Sequence, residues 1–257
     1  MKTAIISDVH SNLEALEAVL RDIDKEKADR IISLGDIVGY GANPNEVITL
    51  FKKYKIESVK GNHDEAVLNE ELLEWFNDHA KNAIKKTRAI LNNESKQYLR
   101  SLKSFIVDDG IRYVHGCPPD SYMDYLGQDV SDVQAFRNFR EKICFVGHTH
   151  WTEGIIEKKM EVEKYIIEKR KFIEKTFEHV PIDFGYSFAV RSGERCIYNP
   201  GSVGQPRDSP MAKYCIFYND EKEIEPRAVE YDIYKAATKI REVIGDESLA
   251  ERLFEGR

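Results

Sequence analysis

The stretch TAIISDVH, residues 3–10, joins a short apolar run to a cluster of aspartate and histidine. The apolar run is typical of a buried strand, and residues 12–27 that follow repeat apolar side chains at helical spacing. Strand-like runs at 30–36 and 56–64 enclose a second helical segment at 43–54, which Pro44 opens. This strand–helix–strand–helix–strand order predicts parallel strands with right-handed crossovers.

The rest of the chain changes from helical to mainly antiparallel patterns. Residues 65–102 are periodic and poor in glycine, which predicts two or three helices. Asp109-Gly110 predicts the turn of a β-hairpin over 104–116. We further expect a helix over 132–140, a strand over 142–150, strand pairs over 187–202 and 212–231, and a helical tail from Tyr234 to Phe254 that breaks at Gly245-Asp246.

A segment rich in lysine and glutamate, residues 157–180, carries two conflicting periodicities. The stretch MEVEKYI alternates as a strand does. We interpret the segment as a solvated amphipathic insertion, with a lid over the site or a dimer contact as open alternatives. A helical interpretation places four of its residues on one face: Ile166, Arg170, Ile173 and Phe177.

The length and charge of the chain limit its organisation and its ligands. We expect 257 residues to form one domain over 1–257, with the charged insertion at about 157–183 and a helical C-terminal tail at about 233–257. The formal net charge of -7 argues against nonspecific nucleic-acid binding, which depends on neutralising phosphates. It leaves room for a small phosphorylated ligand held by local cations.

The cysteines and the apolar runs predict a cytoplasmic protein. The four cysteines are scattered without a CxxC motif, which is typical of free thiols in a reducing compartment. The apolar run at the N-terminus is too short for a signal peptide. No apolar stretch reaches the roughly 18 residues that a membrane span requires.

Five strand-like runs end in the same kind of polar cluster, and these clusters hold five of the seven histidines. Because a ligand site of an α/β sheet forms at the carboxyl ends of its strands, we expect the clusters to meet in one crevice. Each cluster alone is equally compatible with a loop, a helix cap or a turn. The clusters are Asp8-Val9-His10, Gly35-Asp36, Gly61-Asn62-His63-Asp64, His115-Gly116 and Gly147-His148-Thr149-His150.

The spacing and chemistry of these clusters suggest metal ligands. In extended chain, residues i and i+2 point to one side, so Asp8 and His10 could reach one point, as could His148 and His150. Aspartate, histidine and asparagine offer nitrogen and oxygen donors without thiolate. Such a mixture suits Mn, Fe, Co, Ni or Zn better than a calcium cage.

The five motifs, taken in order, resemble the calcineurin-like metallophosphoesterase superfamily. The stretches NPGSVGQPRD (199–208) and LAERLFEGR resemble its bacterial and archaeal small phosphodiesterase-type branch. The resemblance covers nearly the whole chain except 157–183. It implies an α+β or α/β fold, a four-layer αββα sandwich of two mixed β-sheets flanked by helices.

The resemblance also implies a dinuclear centre of two divalent transition-metal ions. Manganese is the first expectation, and Fe, Ni, Zn or Co are the alternatives. Carried over by position, seven residues would bind the ions: Asp8, His10 and His150 the first, Asn62, His115 and His148 the second, and Asp36 both.

Further roles follow from the same resemblance. His63 would act as general acid or charge stabiliser, with Asp64 orienting its ring. Asn12, Tyr40 and Arg207 are candidate contacts to the substrate, although Asn12 also suits a helix cap and Arg207 a surface ion pair.

The function implied is hydrolysis of phosphate esters by attack of a metal-bridging hydroxide, foremost on small phosphodiesters. The first alternative is a phosphomonoesterase, of the protein phosphatase or dinucleoside-tetraphosphate hydrolase kind. The second is a non-catalytic scaffold, which would be expected to lose ligands that are all present here. The expected partner is a small phosphorylated substrate, with no membrane, and a homo-oligomer is left open.

Overall fold

The computed structural model describes residues 1–166 and 168–256, with the backbone alone over 160–174. Ile167 and Arg257 lie outside the described residues, as do the side chains of Ile166, Arg170 and Ile173. The described chain contains strands β1 Lys2–Ile6, β2 Arg30–Ser33, β3 Glu57–Ser58, β4 Phe105–Asp108, β5 Ile111–Val114, β6 Ile143–Phe145, β7 Thr152–Ile166, β8 Glu168–Val180, β9 Phe188–Ala189, β10 Arg195–Pro200, β11 Ala212–Tyr218 and β12 Glu223–Val229.

The helices occupy the intervals between the strands and the C-terminal region. A 3₁₀ helix at Glu70–Trp75 and a π-helical turn at Ile240–Ile244 add to them. The α-helices are α1 Leu13–Glu26, α2 Pro44–Lys53, α3 Asn62–Ala66, α4 Asp78–Ile90, α5 Asn93–Arg100, α6 Asp132–Arg137, α7 Ile233–Lys239 and α8 Glu247–Glu255.

The strands form two mixed sheets of six strands each. The order in the first sheet is β3-β2-β1-β11-β12-β9, and the order in the second is β4-β5-β6-β10-β7-β8. Strands β1, β2 and β3 run parallel, as do β5, β6 and β10. The predicted right-handed βαβ start therefore supplies one half of the first sheet, and antiparallel strands complete it.

The two sheets pack face to face through the apolar side chains of their central strands. In β1, Ile5 joins the cluster between the sheets, whereas Ala4 and Ile6 join the cluster under the helices. Alternate side chains of a strand point to opposite faces, so a strand buried on both sides reads as a continuous apolar run. Phe136 of α6 packs on the outer face of the second sheet. This arrangement confirms the predicted αββα sandwich.

Most of the predicted elements agree with the structure, but some boundaries and pairings differ. The β4–β5 hairpin turns at Asp109-Gly110 as expected, with Asp108 opposite Ile111. The strand expected over 142–150 ends at Phe145. Residues 187–202 contain two strands around a turn, as expected, but β9 joins the first sheet and β10 the second.

The helical interpretation of residues 157–180 is wrong, and the alternation of MEVEKYI gives the correct structure. β7 and β8 form a long antiparallel hairpin, in register from Gly154 opposite Val180 to Ile166 opposite Glu168. The base of this hairpin is fixed to the second sheet by buried Glu157. Its carboxylate accepts hydrogen bonds from Arg195 at 2.7 Å and Lys175 at 2.8 Å. The charged run is therefore an extension of a sheet.

Within the described residues the chain has neither a membrane-spanning helix nor a disulfide bond. No helix within the described residues is long and apolar enough to cross a membrane. The four cysteines are all buried and none forms a disulfide. Their burial raises the pKa of each thiol above its ordinary value, which keeps the thiols protonated and unreactive.

Candidate metal centre

The proposed metal ligands lie at the carboxyl ends of neighbouring strands, where the two sheets meet. Asp8 follows β1, Asp36 follows β2 and Asn62 begins the helix after β3. His115 directly follows β5, and the His148–His150 pair follows β6. The structure thus brings together all five clusters that the sequence pattern singled out.

A left-handed backbone conformation, and not an extended chain, directs most of these side chains toward the site. Five of the seven proposed ligands adopt positive φ: Asp8 at 53°, His10 at 48°, Asp36 at 51°, His148 at 68° and His150 at 66°. The expectation that i and i+2 converge because the chain is extended is therefore wrong. Left-handed non-glycine residues cost free energy and concentrate at functional sites, where the surrounding fold holds them.

A first cluster consists of Asp8, His10 and His150, all buried. The Nε2 atoms of His10 and His150 lie 3.0 Å apart. The Oδ1 atom of Asp8 lies 3.4 Å from Nε2 of His150 and 3.9 Å from Nε2 of His10. Two imidazole nitrogens and one carboxylate oxygen thus converge on one point, as they do around a cation.

A second cluster consists of Asp36, His115 and His148, also buried. Nε2 of His115 lies 3.1 Å from Nδ1 of His148, 3.0 Å from Oδ1 of Asn62 and 3.4 Å from Oδ2 of Asp36. The same Oδ2 atom of Asp36 lies 3.6 Å from Nε2 of His10. Asp36 therefore stands between the two clusters, which is the position that a bridging carboxylate requires.

Backbone carbonyls fix which ring nitrogen faces the site in three of the four imidazoles. A carbonyl can only accept, so the ring nitrogen that faces it must carry the proton, and the other nitrogen is left to face the cluster. The three pairs are Nδ1 of His115 with Leu34 at 2.8 Å, Nε2 of His148 with Met123 at 3.1 Å, and Nδ1 of His150 with Gln205 at 2.7 Å.

The carboxylates of the site are ionised. Burial opposes the charge of Asp8, but the neighbouring His150 outweighs it and holds the pKa of Asp8 below its usual range. Burial likewise opposes the charge of Asp36, and His115 and His63 hold its pKa well below the ordinary value. Both residues are therefore anions at neutral pH, the form in which a carboxylate binds a cation.

The imidazoles divide between neutral and charged forms. Burial lowers the pKa of His10 well below its ordinary value and that of His148 to about 3. Burial also favours the neutral form of His115, but the charge of Asp36 and the hydrogen bond between His115 and Asp36 outweigh it and raise the pKa of His115 to about 9. His10 and His148 are thus neutral, as ligands must be, whereas His115 has to release a proton to a bound metal.

These residues have the chemistry to hold the two divalent ions that the resemblance implied. In both clusters two imidazole nitrogens face each other at contact distance. A shared cation stabilises this arrangement, whereas it is unfavourable for imidazoles without a cation. Asp8 and Asp36 supply two negative charges, so two dications leave the site net positive toward an anion. A third group of His10, Asp36 and His63 also lies within 4.8 Å, which brings His63 close to both clusters.

Asp64 does not orient the His63 ring, contrary to the expectation from the resemblance. Its Oδ1 accepts hydrogen bonds from the backbone of Ile37 and Val38 at 2.9 and 3.1 Å, and its Oδ2 accepts one from Gly61 at 3.0 Å. Its carboxylate is thus occupied by backbone N–H groups, one of which belongs to Gly61, the residue that caps the start of α3. Burial, reinforced by the charge of Asp36, raises the pKa of Asp64 to about 7.

Aromatic rings, and not a carboxylate, position the His63 ring. Its centroid lies 4.8 Å from that of His10, 4.6 Å from that of Tyr40 and 5.0 Å from that of Phe76. The His63 backbone N–H donates to Oδ1 of Asp36 at 2.9 Å. His63 is thus coupled to the site through its main chain and fixed by packing.

Gly39 is a close neighbour of both His10 and His63. A Cβ atom on Gly39 would lie 2.7 Å from Nδ1 of His10 and 2.8 Å from Nδ1 of His63. Its φ of 139° is unfavourable for other residues. Thr87 donates to the Gly39 carbonyl at 3.0 Å, which prevents the backbone from moving away.

Gly39→Ala is therefore expected to lower kcat by roughly 10- to 100-fold, because displacing the two imidazoles by even part of an ångström disturbs reactive geometry. The measurement is kcat on a chromogenic phosphoester together with thermal unfolding. Gly110→Ala is the matched control, since Gly110 also has positive φ and a Cβ there meets nothing within 4 Å. Equal activity of the two variants would contradict a special role for Gly39.

The three candidate substrate contacts differ in their surroundings. Asn12 caps α1 by accepting from Ala15 at 3.1 Å and donates to Gly204 at 2.9 Å, so its amide is occupied by the fold. Tyr40 packs on His10 and His63. Arg207 donates to the Thr149 carbonyl at 3.5 Å, between the two histidines of the last motif.

Two further residues of the site were missed by the sequence analysis. The Tyr125 ring stacks on His148 with centroids 3.7 Å apart and an interplanar angle of 26°. Ser7 donates to Oδ2 of Asp8 at 2.5 Å. Ser7 could have been suspected as the last residue before the first motif, but Tyr125 lies in a loop without periodicity or motif.

The chain is similar to several known proteins. A sequence model described as the calcineurin-like phosphoesterase superfamily domain matches residues 1–222. An uncharacterized protein of Methanocaldococcus jannaschii is 40% identical over 263 residues, covering 99% of this chain and 98% of that protein.

Solved structures show the same architecture. The crystal structure of a metallophosphoesterase from Sphaerobacter thermophilus is 37% identical, covers 98% of both chains and has a TM-score of 0.79. A Pyrococcus horikoshii protein shares the fold at a TM-score of 0.73, with 19% identity over 100% of this chain and 98% of that chain.

Proposed function

The chain belongs to the calcineurin-like phosphoesterase superfamily, and we propose that within it the protein is a phosphodiesterase that uses two divalent transition-metal ions. Membership makes it a hydrolase acting on phosphate esters. The observation that carries the proposal is the pair of buried clusters on either side of Asp36. Manganese is the first metal to test, because nitrogen and oxygen donors without thiolate suit it and its neighbours in the transition series.

The proposed ligands keep the division that the resemblance implied. Asp36 would bridge the two ions, and when bound such cations supply Lewis-acid activation of water and neutralise charge on phosphoryl oxygens. The first site would use Asp8, His10 and His150, and the second would use Asn62, His115 and His148.

His63 is the residue that we assign to the leaving group. Burial lowers its pKa to about 4 in the free site, so at neutral pH the ring is neutral and can donate one hydrogen bond. An anionic substrate beside the ring raises this pKa toward the range in which the imidazole can also transfer a proton. Tyr40 and Phe76 hold the ring in place for either step.

The aromatic surroundings favour a diester over a monoester. A diester has two organic arms, and rings are available on both sides of the centre. Tyr40 and Phe76 lie beside His63 on one side, and Tyr125 lies against His148 on the other. Apolar ring surface of this kind can contact the arms of a substrate as well as the protein.

Metal removal is expected to abolish activity, and manganese to restore it. Protein dialysed against chelator should lose hydrolysis of bis(p-nitrophenyl) phosphate, and stoichiometric MnCl₂ should return it, with p-nitrophenyl phosphate turned over more slowly. The measurement is p-nitrophenolate release alongside metal content. Full activity of chelated, metal-free protein would refute metal dependence, and faster turnover of the monoester would favour the phosphomonoesterase alternative.

A further inference from the structure

Three side chains beside the proposed metal centre have hydrogen-bond donors without a strong acceptor. Tyr40 is only 7% exposed and packs on His10, while Tyr125 stacks on His148. Within the described residues, neither phenol hydroxyl has a hydrogen-bond partner. Arg207 meets no carboxylate there, and its one hydrogen bond is the long contact to Thr149.

The three side chains surround the same proposed ligands. Tyr40 packs on His10 and His63, Tyr125 stacks on His148, and Arg207 donates to the carbonyl of Thr149, which lies between His148 and His150 in the chain. Burial raises the pKa of Tyr40 and of Tyr125, and the charge of Arg207 is the largest opposing influence on both. Tyr125 in turn raises the pKa of Tyr40. Through their contacts with His10, His148 and Thr149, the two phenols and the guanidinium therefore border the proposed metal centre and offer it hydrogen-bond donors.

The charge of Arg207 is not cancelled by the acidic residue next to it. Asp208 forms an ion pair with Lys213, whose side chain is buried and also lies 4.8 Å from the ring of Phe184. Asp208 also accepts from the Thr152 backbone at 3.4 Å. These contacts fix the loop that carries Arg207 and leave its positive charge available to a ligand.

We propose that Tyr40, Tyr125 and Arg207 form an anion subsite that binds a second anionic group of the substrate. The substrate class is then a phosphodiester in which one arm carries a phosphate or phosphonate group. This inference rests on the proposed phosphodiesterase function. The scissile phosphodiester has a single negative charge, which two bound dications already neutralise, so a further cation with two phenols serves a different charge.

A matched substrate pair tests the subsite. Ethyl p-nitrophenyl phosphate and 2-phosphonoethyl p-nitrophenyl phosphate share the leaving group and the reacting phosphorus, and only the second has an extra anion. We expect the manganese-loaded protein to prefer the phosphonate ester by roughly tenfold or more in kcat/KM, because hydrogen bonds to a charged group are stronger than those between neutral groups.

Variants of the subsite should change this preference. In Arg207→Met the ratio of the two kcat/KM values should fall to near one. In Tyr125→Phe, which keeps the ring on His148, it should fall to an intermediate value. Arg241→Met is the matched control, because Arg241 pairs with Glu247 on the surface and should keep the wild-type ratio.

The outcomes separate this inference from the function on which it rests. Normal turnover of both esters by the wild type with a ratio near one would overturn the subsite and leave the phosphodiesterase function intact. Equal losses on both esters in Arg207→Met would also overturn it, since Arg207 would then serve the scissile group. Turnover of neither ester would refute the proposed function and the subsite together.

Discussion

Asp36→Asn is expected to lower kcat/KM by roughly 10³-fold or more and to reduce the amount of bound metal. The proposed bridging carboxylate lies 3.6 Å from Nε2 of His10 and 3.4 Å from Nε2 of His115. Asparagine keeps the shape of the side chain but removes its charge and one of the two acceptor oxygens. The loss corresponds to about 4 kcal/mol of transition-state stabilisation, within what metal sites supply.

The chain offers a closely matched control for this substitution. Asp109 lies at the β4–β5 turn, adopts a φ of 46° and is exposed, whereas Asp36 adopts a φ of 51° and is buried. Asp109→Asn therefore makes the same chemical change in the same backbone conformation, far from any proposed ligand. Its activity and metal content should match those of the wild type.

Metal content and stability together show how Asp36 acts. If Asp36 bridges the ions, Asp36→Asn should bind less metal and gain less thermal stability than the wild type when manganese is added, because a ligand of the folded state stabilises it. Full metal occupancy with full activity in Asp36→Asn would contradict the bridging role. Loss of folding, detected by circular dichroism, would instead assign Asp36 to the architecture through its bond to the His63 amide.

The part of the site that could be predicted from the sequence depends on topology. Each polar cluster follows an apolar strand, and parallel strands bring their carboxyl ends to one edge, so Asp8 and Asp36 of the first sheet were expected to lie near each other. His115 follows β5 of the second sheet and reaches them because the two sheets pack face to face. The sandwich was implied by the resemblance, whereas the order of the elements predicted only the parallel strands. Patterns of this kind can be recognised in a sequence because they depend on which residues follow a strand, and not on the backbone conformation of each residue.

What could not be predicted depends on local backbone and on loops. Nothing in the sequence specifies that His148 and His150 adopt left-handed conformations, because these are imposed by the fold around them. The prediction that Asp64 orients the His63 ring was wrong for a similar reason. Its carboxylate serves the backbone of Ile37 and Val38, a contact between segments that are distant in sequence. Tyr125 lies in a loop whose sequence has no periodic pattern.

The charged hairpin shows how composition can mislead. Lysine and glutamate favour helices when side chains are exposed, and several apolar residues of 157–180 fall at helical spacing. The strand alternative prevailed because β7 begins as a partner of β10, with Glu157 opposite Arg195 in register. Tertiary pairing at the base thus overrode the local preference.

His63→Ala is expected to lower kcat by roughly 10²- to 10⁴-fold on esters with poor leaving groups while the proposed metal ligands stay in place. The ring of His63 is proposed to donate a hydrogen bond or a proton to the departing oxygen. An alkoxide needs that proton, whereas p-nitrophenolate leaves readily without it. The loss should therefore be much smaller for p-nitrophenyl esters than for phenyl or alkyl esters.

The dependence on the leaving group distinguishes chemistry from packing at His63. The ring contacts His10, Tyr40 and Phe76, so its removal could disturb the site without any role in proton transfer. Such a disturbance would lower kcat by the same factor for every leaving group. His63→Gln, which keeps a donor, should recover part of the rate on the poor leaving groups. A uniform loss in His63→Ala, unrelieved in His63→Gln and with unchanged metal content, would assign His63 to positioning His10 and leave the leaving group without a protein donor.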